Sequence, residues 1–136
     1  MLDKVIATFG ALTILLIFAM TSALFVGMIG QWYSLQNQAQ FLAASQGKYG
    51  GYTTVADDAL QEYISDYNLD RSRLDVSVSA PYGPVSYGTA VTTEITYQFE
   101  FGAGNWFTPF TVDLTGRGRS VSTYLPGTYS VTYTAP

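Results

Sequence analysis

The stretch Val5–Gly30, VIATFGALTILLIFAMTSALFVGMIG, decides how the rest of the chain is read. It contains no charged side chain, and after Lys4 none follows until Lys48. As a helix rising about 1.5 Å per residue it is about 39 Å long. About 20 apolar residues suffice to cross the hydrocarbon of a bilayer. The segment is long enough to span a membrane, and a water-soluble fold of this size has no easy place to hide it. The chain therefore divides into an apolar transmembrane or filament-core helix, residues 1–30, and a head, residues 31–136, made of the helix continuation and a small antiparallel sheet.

Composition narrows the possibilities. The 136 residues allow one modest domain beside the helix. Charged residues make up 12% of the chain, about half the usual share, and the net charge of −4 gives no support for nucleic-acid or anionic-lipid binding. There is no Cys to staple the head and no His to serve as general base or neutral-pH metal ligand. The apolar run exceeds the roughly 7–15 residues of a secretory signal core, and its positive lead is only Lys4 beside Asp3. Retention of the segment is therefore expected; whether Met1 follows a cleaved leader stays open. Lys4 at the near end places the N-terminus in the cytoplasm and the head outside.

The helix is expected to run on through Gln31–Gln46, from about Asp3, for roughly 65 Å in all. Trp32, Leu35, Ala39, Leu42 and Gln46 recur at three- and four-residue steps and form the face expected to pack on the head. Gln36, Asn37 and Gln40 fall elsewhere on the wheel, and Gly47 is the expected left-handed cap. Within the apolar part, Ala7, Ala11, Leu15, Ala19, Ala23 and Gly27 make a four-residue ridge of mostly small side chains. Small residues at that spacing let helices approach closely in an apolar medium, although Ala and Gly are also common in any span.

A second helix is expected over about Thr54–Tyr67. Thr54 and Asp57 form a weak capping box, Val55, Ala59, Leu60, Tyr63, Ile64 and Tyr67 the apolar face, and Asn68 the end. From there the period becomes two. Strands are expected at Leu74–Val78, Thr89–Phe101, Phe107–Leu114 and Gly118–Tyr124, with turns at Ala80–Pro84 and Gly102–Asn105 and an edge or early bend at Pro109. The uncharged tail Leu125–Pro136 reads as a fifth strand or as an arm on another subunit. The fold class is α+β, with four to five strands and one wet sheet face.

This order resembles the type IV pilin superfamily, and most closely the Tad-type, TadE-like pilins and pseudopilins; archaeal adhesion pilins share the outline. The resemblance rests on Val5–Gly30, the continuation QAQFLAAS at residues 38–45, the short helix ending near Tyr67, and the segments VSYGTAVTTEITYQFEF and FTVDLTGRGRSVS. It implies a subunit that sits in the membrane as a monomer and polymerises with copies of itself, handled by a secretion or assembly machinery. Many such pilins carry Glu at the fifth mature position, where this chain has Val5. Asp3 is the only nearby acid; it can partner a neighbour's N-terminal amine, pair with Lys4, or flank the headgroups.

Chemistry is not expected. A Ser or Tyr nucleophile would need an acid or Lys as base. Glu94 and Glu100 lie about 20 Å apart on one strand, against the roughly 5–9.5 Å of a glycosidase pair. Asp66-Tyr67-Asn68-Leu69-Asp70 opens like a calcium loop, but Arg71 stands where Gly is needed and Ser77 where a Glu is needed. The line Asp58, Glu62, Asp66 reads as a solvated face, and Arg117 and Arg119 as surface residues or partners of Asp113 or of another subunit. No cofactor or metal is expected. A permanently membrane-anchored minor pseudopilin with an external binding head is the alternative to a filament subunit.

Overall fold

The computed structural model describes residues 1–101 and 109–136. Its elements are α1 (Leu2–Tyr49), α2 (Thr54–Asp66), a single 3₁₀ turn (Arg71–Arg73), β1 (Leu74–Val78), β2 (Ala90–Phe101) and β3 (Phe110–Val121). The fold is α+β. The chain divides into two compact units, Met1–Gln31 and Trp32–Pro136.

In the second unit the strands form an antiparallel meander, β1-β2-β3, with Val76 opposite Ile95 and Ile95 opposite Gly116. The alternation of β2 holds: Val91, Thr93 and Ile95 are buried while Thr92 and Gln98 face solvent. Leu35, Ala39, Leu42 and Ala43 of α1 and Ala56, Leu60, Tyr63 and Ile64 of α2 complete the core. Gln38 Nε2 donates to the Ala59 carbonyl, and Ser34 shares a hydrogen bond with the Tyr63 hydroxyl, so α1 and α2 are tied side by side.

Two strands expected at Phe107–Leu114 and Gly118–Tyr124 are one continuous strand, giving three strands among the described residues. The expected start at Phe107 and the turn Gly102–Asn105 lie outside the described residues. Gly116, between the two expected strands, and Gly118, at the start of the second, sit at inward positions of β3. A Cβ on Gly116 would lie 2.5 Å from the Leu35 carbonyl, and one on Gly118 would lie 2.0 Å from the Ala39 carbonyl oxygen. The α1 backbone rests directly on this bare strip, the close approach for which a strand glycine is suited.

The same helix protects the free edge of β3. Trp32 Nε1 donates to the Thr115 carbonyl at 3.1 Å. Gln36 both donates to the Arg117 carbonyl and accepts from the Arg117 N–H, the latter at 3.0 Å. Gln40 repeats the pattern on Arg119 at 3.1 and 3.3 Å. Four helical residues advance about 6 Å and two strand residues about 6.8 Å, so the two series stay in step. Side-chain amides thus take the place of a fourth strand, one way to keep an edge from templating aggregation. Replacing Gln36 and Gln40 together with Ala is expected to lower the stability of the unit by about 1–2 kcal/mol and to raise sheet-type self-association, measured by urea titration and light scattering in detergent.

Other boundaries moved. Gly47 is not the cap: it stays helical, pressed against Ser120, and α1 ends beyond it with Gly50 at φ +79°. The N-cap of α2 is Thr53, whose Oγ1 accepts from Ala56 N–H at 3.3 Å, rather than Thr54. Ala56 is buried, whereas Val55 and Tyr67, expected on the apolar face, are exposed. Asn68 ends the helix with φ +49°. The tail is neither a full strand nor a free arm. It makes one antiparallel bridge, Thr53 to Tyr133, and Tyr133 Oη donates to the Tyr49 carbonyl at 2.7 Å.

Buried Gln46 joins the layers. Its amide donates to Thr93 Oγ1 and accepts from the Ala80 N–H, so its burial leaves no unmet polar group. Tyr52 is also fully buried, its hydroxyl donating to Asp57 at 3.2 Å. Burial, then the Asp57 carboxylate, pushes the Tyr52 hydroxyl well above its ordinary 10.0. Burial likewise raises Tyr63 and Tyr133. Below pH about 9 these groups are neutral in both folded and unfolded chains. Above it the unfolded chain ionises first, so stability is lost as pH rises. The melting temperature, followed by circular dichroism in detergent, is expected to hold to pH about 9 and fall above 10, with Tyr52→Phe flattening the fall.

Candidate functional site: the uncovered apolar helix

The first unit is a single run of helix whose side chains, with few exceptions near its end, are exposed. None of its most apolar window is buried, and it is long and apolar enough to cross a membrane. Phe9, Ile14, Leu15 and Phe18 are all more than two-thirds exposed. So large an uncovered apolar surface belongs in an apolar medium or against a partner.

The polar groups of the span are handled within it. Its only polar side chains are Thr8, Thr13, Thr21 and Ser22. Each hydroxyl donates to the carbonyl one turn back, those of Lys4, Phe9, Ile17 and Phe18, at 2.8–2.9 Å. Backbone and side chains therefore need nothing from water, the condition for residence in hydrocarbon. The sequence names these hydroxyls, but only the helical geometry pairs them.

Ala7, Ala11, Leu15, Ala19, Ala23 and Gly27 lie along the helix at four-residue steps, all exposed. A Cβ on Gly27 would meet nothing within 4 Å. Asp3 and Lys4 are exposed, with no intrachain ion pair for either among the described residues. Of the expected packing face, Leu35, Ala39 and Leu42 are fully buried, whereas Trp32 is 44% exposed and contributes through its indole N–H.

The remaining candidates are structural. Asp70 caps the 3₁₀ turn; its carboxylate accepts from the Ser72 hydroxyl and N–H, which hold it below its ordinary range. The calcium-like spacing is thus an end cap, and the described residues contain no cluster of three or more metal-ligating side chains. Arg117 pairs with Glu94 on the neighbouring strand at 2.8 Å, not with Asp113, because the register sets them opposite. Arg73 pairs with Glu100. No family model, curated protein or solved structure matches the chain.

Proposed function

We propose that this chain is a structural subunit of the type IV pilin kind, nearest the Tad-type in design. Its apolar helix holds the monomer in the membrane, N-terminus in the cytoplasm and head outside, and then enters the core of an extracellular filament made of its own copies. The single observation that carries this reading is the bare helix with its hydroxyls internally satisfied. Lipid and a bundle of such helices are both apolar, so the transfer between them desolvates no charge. The wet face of the sheet and its loops coat the outside. The chain works as a polymer unit rather than an enzyme, with secretion or assembly machinery as its other partner.

The test is negative-stain microscopy of the material sheared from cells, with mass spectrometry of its contents. Filaments containing this chain are expected. Recovery of the chain solely from the membrane fraction would point instead to a permanently anchored minor pseudopilin with an external binding head.

A further inference from the structure

The outer edge of β1 carries an inference that stands apart from the filament reading. Ser79 N–H donates to the Thr92 carbonyl across the sheet at 3.0 Å. Bonded pairs alternate along an antiparallel ladder. Ser77 with Glu94 and Asp75 with Thr96 are therefore the bonded pairs between β1 and β2. Leu74, Val76 and Val78 turn their N–H and C=O groups the other way, toward the edge of the sheet.

Both ends of this edge are closed. Leu74 N–H donates to the Arg71 carbonyl, and the Arg71 guanidinium donates to the Leu74 carbonyl at 2.8 Å. Past β1, the Ala80 N–H donates to Gln46 Oε1 at 3.3 Å and the Ala80 carbonyl accepts from Tyr52 N–H at 2.8 Å. Ala80 is buried, so these bonds draw the chain away from the edge and into the core. Between the closed ends, the backbone groups of Val76 and Val78 have no partner on the outer side among the described residues. Their side chains lie on the core face, opposite Ile95 and Thr93, yet are only half-buried. The edge of β3 is covered by Trp32, Gln36 and Gln40; β1 has no such cover among the described residues. An open edge is a template for another strand.

The strand that fits it is β1 itself. With two antiparallel copies related by a two-fold axis at Ser77, Val76 lies opposite the second copy's Val78, and each such pair exchanges both its hydrogen bonds. Every free edge group is then used. An axis at Val76 sets Val78 opposite Leu74, and an axis at Val78 sets Val76 opposite Ala80, residues whose groups are already taken. No like charges meet in the Ser77 arrangement. Asp75 faces Ser79, and the two Asp75 residues stand about 14 Å apart, beyond the roughly 8 Å screening length of physiological salt. The half-buried valines become β-branched cross-strand neighbours.

We infer that the open edge of β1 binds a second copy of this chain, in an antiparallel pair centred on Ser77 that joins two heads through one continuous sheet. A two-fold contact is closed, so it joins two copies and stops there, unlike the packing of a filament.

The chain has no Cys, so single introduced thiols report the register. The full chain carrying Ser77→Cys or Asp75→Cys is oxidised mildly in detergent, and disulfide dimer is read on a non-reducing gel. Paired Ser77 positions have Cα atoms about 4.5 Å apart, within the roughly 4.4–6.8 Å that a disulfide spans; paired Asp75 positions do not. About fivefold more dimer at 77 than at 75 is expected. Val76→Pro removes an N–H that faces outward, which an edge strand tolerates. Added to Ser77→Cys it should cut the dimer at least fivefold with little change in melting temperature, and unchanged dimer would overturn the inference. The comparison of 77 with 75 decides the matter even where proline unfolds the head. Equal dimer at 77 and 75 means random collision and overturns the inference. No dimer at 77, in a head whose circular dichroism is intact, also overturns it and leaves the edge to an extended segment of another protein.

Discussion

Leu15→Asp is expected to abolish filaments while leaving the head folded and the chain in the membrane. An Asp at the centre of a span costs about 2.5–3.5 kcal/mol on insertion. The other leucines, isoleucines, phenylalanines and valines contribute about −0.3 to −0.6 kcal/mol each on the same scale, and together they outweigh one Asp. Insertion therefore survives. A filament core is less forgiving, because every copy would bury the same carboxylate with no cation between Lys4 and Lys48 to pair with it. Leu15→Met, which keeps volume and polarity, should assemble normally. Microscopy of sheared material reads filaments, and circular dichroism of the detergent-extracted chain reads the head. Normal filaments from Leu15→Asp would contradict a core built from this helix.

The second large effect is expected at Gly118. Its missing Cβ would lie 2.0 Å from the Ala39 carbonyl oxygen and 2.5 Å from the Ala39 carbonyl carbon, both backbone atoms of α1. A rotamer change cannot relieve that clash; the helix must lift from β3. Lifting it also breaks the amide pairing of Gln36 and Gln40 with the strand edge. Gly118→Val should cost about 3 kcal/mol or more, and in a unit of this size each kcal/mol lowers the melting temperature by about 4–8 °C. Gly83→Ala is the control, since a Cβ there meets nothing within 4 Å; it should stay within about 0.5 kcal/mol of the parent. Thermal melts of the full chain in detergent compare the two. Equal melting temperatures would mean that α1 does not rest on β3 as described.

The sequence is legible where a side chain's polarity alone dictates its place. The apolar run of residues 5–30 announces a helix for an apolar medium, because lack of charge over that length has few other physical solutions. The period of α2 and the alternation of β2 follow equally from which side chains water rejects. Where interactions are made by backbone or by neutral amides, polarity is silent. Gly116 and Gly118 carry no side chain to join the β pattern, so one long strand reads as two short ones. Gln36 and Gln40, polar and off the apolar face, look like solvent-facing residues, yet their amides lie against the edge of β3.

Thr53 and Thr54 are chemically equivalent caps, and only the chain's entry geometry selects Thr53. The uncharged tail has no partner written into it, because its bridge to Thr53 joins residues far apart in sequence. The sequence by itself determined that this protein has a helix long and apolar enough to cross a membrane, followed by an α+β head. Only the tertiary structure decided how residues 32–40 of α1 seat on β3: by bare glycines beneath them and borrowed amides beside them, contacts of shape and hydrogen bonding that leave no trace in hydrophobic period.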